Sequence, residues 1–173
     1  MMRFLNWMQK EPIGAVTGVD RLLEMVSLVL AVFLPALAVV VYLEVPQQIP
    51  VHFTLSGEID GWGDKGMAFL LAGIGIVAMA ICNAAAYNYK MVNLPVRLNP
   101  KCLRQQVTLM GRMSRILSVL CGLAFVVGLL LSFAPRWNIQ PFCSFLFMLI
   151  IIGVMVTIMV YTVLIYKMGR KYR

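Results

Sequence analysis

The sequence predicts an all-α integral membrane protein. Four transmembrane helices place both termini in the cytoplasm, and a structured extracytoplasmic loop joins the first two. Three observations carry this prediction. Of 173 residues, 61% are hydrophobic and 13% charged, about half the charged share of a soluble domain, and mean hydropathy is +0.87. Four apolar runs reach the roughly 20 residues that a helix needs to cross a bilayer. Basic residues cluster in alternate connections, the pattern that sets membrane orientation. Residues 1–173 form one membrane domain.

The expected spans are 22–43, 67–89, 113–134 and 142–166. Helices are predicted because an open strand would leave backbone polar groups unpaired in lipid. Pro35 lies near the middle of span one and is expected to kink it. Ala36-Leu37-Ala38 has the small-x-small form of a signal cleavage site. However, the apolar run starts well before it and continues to Leu43, so an uncleaved anchor is expected.

Thirteen of the fifteen basic residues fall on one side. Arg3, Lys10 and Arg21 precede span one. Lys90, Arg97, Lys101, Arg104, Arg112 and Arg115 lie between spans two and three, and Lys167, Arg170, Lys171 and Arg173 follow span four. Only Lys65 and Arg136 sit in the other two connections. Basic residues mark the cytoplasmic side, so the loop over 44–66 faces outward and the basic loop over 90–112 faces inward. The net charge of +8 is thereby explained by topology, and no nucleic-acid partner is expected.

Spans two and three carry small residues at four-residue spacing: Ala78, Cys82 and Ala86, then Ser114, Ser118 and Gly122. Such faces let membrane helices approach closely, and these two are expected to meet. Asn83 is expected to bond to a neighbouring helix. The cysteines Cys82, Cys102, Cys121 and Cys143 show no C-x-x-C spacing and read as apolar fillers. No span carries an ionisable residue at mid-depth, which weighs against a self-sufficient pump or ion-coupled carrier. Glu24 and Arg115 sit near cytoplasmic ends, within reach of headgroups.

The outer loop contains "IPVHFTLSGEIDGWGDKG", Ile49 to Gly66, with the chain's only histidine. Pro46 and Pro50 favour extended backbone. "VHFTL" alternates and reads as a short strand on the membrane surface. "SGEIDGWGDKG" reads as turn chemistry, since its glycines permit positive φ. Phe53 and Trp62 suit the headgroup region. His52, Glu58, Asp60 and Asp64 invite a metal reading. One His without Cys falls short of zinc's usual four ligands, and Trp62 stands where an EF-hand places an oxygen ligand. Ser56 lies near His52, but neither G-x-S-x-G nor HExxH is present. The plainer expectation is that His52, Glu58 and Asp60 hold the loop in a compact cap. No catalytic residue, metal or cofactor is expected.

Asn99-Pro100 reads as a helix start, with Asn as cap and Pro in the first turn. The third helix would then begin in the cytoplasm. On it Lys101, Arg104, Thr108, Arg112 and Arg115 fall in a stripe about 80° wide. This stripe is either a positive-inside signal or a site for anionic lipid or an acidic partner.

The pattern P-x-x-I-P-x-H-F-x-x-x-G-x-x-D-G-W-G-x-K, Pro46 through Lys65, resembles the signature of a bacterial membrane domain of unknown function. That domain forms the N-terminal part of SdpI-like immunity proteins, which protect producing cells from a sporulation-delay toxin. "NLPVR", Asn93 to Arg97, is also similar to the family, and the resemblance covers about residues 22–115. It marks Pro50, His52, Gly57, Asp60, Gly61, Gly63 and Lys65 as the defining cap, and Glu58 and Trp62 join them as candidate ligand or cap residues. It implies a non-enzymatic, multi-pass protein of a bacterial cytoplasmic membrane that recognises an outside peptide, toxin or envelope ligand. The basic inner loop would reach a regulator or membrane partner. Two rivals stay open: an accessory or lipid-handling subunit of a transport system, and a metal-dependent membrane enzyme.

Overall fold

The computed structural model describes residues 14–45, 48–54 and 59–172. Four long apolar helices make up most of it: α1 (Gly18–Glu44), α2 (Met67–Tyr87), α3 (Leu103–Leu130) and α4 (Gln140–Lys171). All four are long and apolar enough to span a membrane. Helices α1, α3 and α4 begin or end beyond the apolar run that marks them in the sequence, whereas α2 stops at Tyr87, short of the expected residue 89.

The start of α1 illustrates this. Thr17 and Asp20 form a capping box: the Thr17 N–H donates to Asp20 Oδ2 at 2.8 Å, and the Asp20 N–H donates to Thr17 Oγ1 at 3.4 Å. The helix therefore starts at Gly18 rather than at Leu22. It continues through Pro35, whose ring lies on the exposed face. At the other connection Asn99 caps as its residue type predicts, its Oδ1 accepting from the Lys101 N–H at 3.0 Å. A 3₁₀ turn, Pro100–Cys102, then leads into α3.

Helix α3 is the hub, packing against α1, α2 and α4. It carries the polar and small residues that permit this, with Ser114, Ser118 and Gly122 all buried. A Cβ on Gly111 would lie 2.9 Å from the Ala86 carbonyl oxygen, so glycine sets the α2–α3 spacing there. The α2 face differs from the expected one. It buries Ala72, Gly75, Met79 and Ala86, while Ala78 and Cys82 are half-buried at its edge. Helices α1 and α3 run one way and α2 the other, since Asp20 meets Arg112 and Ser27 meets Ser118, while Ala86 meets Gly111 and Gly75 meets Phe125. By contrast, α4 buries only 11% of its most apolar window. It presents Phe145, Met155 and Met159 outward, as a lipid-facing helix would.

Asn83 does bond across the bundle. Its Nδ2 donates to Ser27 Oγ at 2.9 Å and to Ser118 Oγ at 3.0 Å, so α1, α2 and α3 share one polar knot. Ser118 in turn donates to the Met79 carbonyl at 3.2 Å.

The segment between α1 and α2 is a β-hairpin. Strand β1 (Gln48–Phe53) pairs antiparallel with β2 (Ile59–Asp64). The first strand overlaps the expected "VHFTL". The second corrects the expectation that everything after Ser56 is turn. Glycine weakens an isolated strand, but here β1 supplies a partner for its backbone. The hairpin covers the end of the bundle through Ile49, which is fully buried with Leu37, Val41, Leu129 and Phe133.

Candidate functional site

The hairpin has an inner and an outer face. On β2, Ile59, Gly61 and Gly63 are half-buried, while Asp60, Trp62 and Asp64 are exposed. On β1, Ile49 and Pro50 are buried and His52 is exposed. Pro50 pairs with Trp62, His52 with Gly61 and Phe53 with Ile59. This register leaves Val51 and Asp60 as extra residues, one per strand. Bulges of this kind re-aim side chains.

Asp60 shows the effect. Lacking a partner in the register, it turns its carboxylate to His52, whose Nδ1–H donates to Oδ1 at 2.6 Å. The carboxylate orients the ring. With 73% of its side chain exposed, His52 presents the remainder of that ring to the surroundings. Gly61 makes the approach feasible, because a Cβ there would lie 2.8 Å from His52 Cβ. Gly63 is also crowded, its Cβ position falling 2.9 Å from Val51 Cγ1. Asp64 Oδ1 accepts from the Gly66 N–H at 2.7 Å and closes the turn into α2. Lys65 lies over the Tyr42 ring, 4.6 Å from its centroid, and clips the hairpin to α1.

Of the cap residues singled out in the sequence, the fold joins His52 to Asp60 and leaves both, with Trp62, exposed on the hairpin surface. Pro50, Gly61, Gly63 and Lys65 lie beneath or beside it, where they set its shape. Gly57 and Glu58 lie outside the described residues, as do Pro46 and Ser56. Among the described residues, no three His, Cys, Asp or Glu side chains stand close enough together to hold a metal ion. His52 and Asp60 alone are too few for a structural zinc site.

The basic stripe on α3 divides. Arg112 Nε and Nη2 bind both carboxylate oxygens of Asp20, at 3.0 and 3.1 Å, and Nη2 also reaches Thr17 Oγ1 at 3.0 Å. Arg115 is 3% exposed, and its Nε donates to Glu24 Oε1 at 2.7 Å. Tyr87 donates its hydroxyl to the same oxygen, and its ring lies 5.0 Å from the guanidinium carbon of Arg115. Arg112, Arg115 and Glu24 are therefore engaged inside the bundle, not extended to headgroups. Lys101 and Arg104 stay exposed. Sequence reasoning missed Thr17 and Asp20, although a Thr-x-x-Asp box ahead of an apolar run is a readable helix start.

These features define a class: a multi-pass membrane protein of four apolar helices with a folded hairpin closing one end. A family model described as "Domain of unknown function (DUF1648)" matches residues 29–76. The match covers most of α1, the whole hairpin and the first half of α2. It is narrower than the resemblance over 22–115 and stops before "NLPVR". No curated protein and no solved structure matches the chain.

Proposed function

We propose that the chain is a non-enzymatic, SdpI-type protein of a bacterial cytoplasmic membrane, and that its hairpin recognises an extracytoplasmic peptide, toxin or envelope ligand. One observation carries the reading: the family match is centred on the hairpin, whose exposed residues include the hydrogen-bonded His52–Asp60 pair and Trp62. Trp62 is 50% exposed and offers a rigid aromatic contact. The oriented His52–Asp60 pair on the same hairpin supplies a polar anchor. The asymmetry of the basic residues favours both termini inside and the hairpin outside.

The experiment compares cells that produce the wild type, His52→Ala, Asp60→Ala or Trp62→Ala at equal membrane levels. Sensitivity to a panel of membrane-active peptides is scored, together with photocrosslinking from position 62. The reading expects at least one peptide whose toxicity is relieved by the wild type and not by the variants. Identical survival of all strains against every peptide, with no crosslinked species, defeats it.

A further inference from the structure

The opposite end of the bundle holds an open cleft of about 550 Å³. One wall is the connector over 95–101 and the other is the last turn of α4. The two walls are tied together. Asn99 Nδ2 donates to the Gly169 carbonyl at 2.9 Å, and the fully buried Gln106 donates through Nε2 to the Ile165 carbonyl at 3.0 Å. Gln106 Oε1 also accepts the Asn99 N–H at 2.8 Å. The cleft is thus a fixed concavity rather than a gap between loose segments.

Three exposed cations converge on it: Arg97, Lys101 and Arg170. Among the described residues no carboxylate pairs with any of them. Asp20 and Glu24 are committed to Arg112 and Arg115, while Glu44, Asp60 and Asp64 sit at the hairpin end. Like charges around one concavity concentrate positive potential and draw in an anion. Two of the three are arginines, whose planar forks match phosphate oxygens in pairs. Tyr166 and Tyr172 also line the cleft, amphipathic rings suited to headgroup depth.

We propose that this cleft is a binding site for a phosphate-bearing anion, with the headgroup of an anionic lipid favoured by the flanking tyrosines. Basic pockets between spanning helices bind such headgroups. The site regroups Lys101 with Arg97 and Arg170 and leaves out Arg104, which is exposed in the first turn of α3 but does not line the cleft. It does not depend on the role of the hairpin.

The test uses the full chain in detergent micelles, titrated with phosphatidylglycerol, phosphatidylcholine or glycerol 3-phosphate and read by native mass spectrometry. One phosphatidylglycerol is expected to stay bound, and phosphatidylcholine is not. Arg97→Gln, Lys101→Gln and Arg170→Gln each weaken retention by about tenfold, the loss of a charge-assisted hydrogen bond. Arg104→Gln changes it by less than about twofold, as an exposed charge outside the site would. Binding of glycerol 3-phosphate with the same dependence upholds the phosphate site and reassigns its source to a soluble phosphate. Equal weakening by Arg104→Gln, no weakening by the cleft substitutions, or equal retention of phosphatidylcholine overturns the proposal.

Discussion

Arg112 grips Asp20 in a two-pronged ion pair, Nε to Oδ1 at 3.0 Å and Nη2 to Oδ2 at 3.1 Å, across 92 residues of sequence. Asp20 is 1% exposed and also belongs to the capping box of α1. The pair therefore locks the start of α1 to α3, and among the described residues a lone charge left at this position has no other ion partner. Arg112→Gln or Asp20→Leu is expected to destabilise the protein by about 2 kcal/mol. The double replacement should cost less than the sum. Thermal unfolding of the four proteins in one detergent checks the coupling; strict additivity contradicts it.

Gly61 is held against His52, and Gly61→Ala must push the strands apart. Overpacking of this kind costs about 1–3 kcal/mol. Faster hydrogen exchange over the hairpin is expected, with α3 unchanged. Gly18→Ala is the control, since its Cβ meets nothing within 4 Å. A hairpin equally protected in Gly61→Ala would show that the close approach is not a constraint.

The polar knot predicts an order of effects. Ser118→Ala removes one of the two acceptors for Asn83 and the donor to the Met79 carbonyl. Asn83→Ala instead takes away an amide whose Oδ1 already lacks a hydrogen-bond partner. Ser118→Ala should be the more damaging, with both within about 2 kcal/mol. Equilibrium unfolding of the two variants settles the order.

Gln106 links the inner connector to α4 from a fully buried position. Gln106→Leu leaves the Asn99 N–H and the Ile165 carbonyl without this partner, at a cost of about 1–3 kcal/mol. Hydrogen exchange at Asn99 should rise. Gly169→Ala should loosen the same junction, because its Cβ would fall 2.8 Å from Gln106 Nε2. Wild-type exchange at Asn99 in both variants would refute the tie.

Orientation is open to a direct measurement. Trp62→Cys should react with a membrane-impermeant maleimide in intact cells, whereas Lys101→Cys should react only after permeabilisation. The reverse pattern would invert the proposed topology.

Much of the architecture was legible in the sequence. The four helices announce themselves because burial of about 20 apolar residues in lipid is a local property of each run. The Asn99 cap could be read for the same reason, since its bonds lie within a few residues. Asn83 was legible as a polar side chain that must find a partner in an apolar setting. The second strand was not: "IDGWGD" has the residues of a turn, and only pairing with β1 makes it extended. Nor was the fate of the basic stripe. Lys101, Arg104, Arg112 and Arg115 look alike along α3, yet two are neutralised by carboxylates on α1 and two are not.

The sequence by itself determined the membrane class, the four helices and the special standing of the segment from Pro46 to Lys65. These follow from hydrophobicity, capping and motif, which act over one element at a time. Tertiary structure alone decided that His52 meets Asp60, that Asp20 and Glu24 consume Arg112 and Arg115, and that Arg97, Lys101 and Arg170 are left around one cleft. Each depends on which helix faces which, and electrostatic partners are chosen by distance in space rather than along the chain.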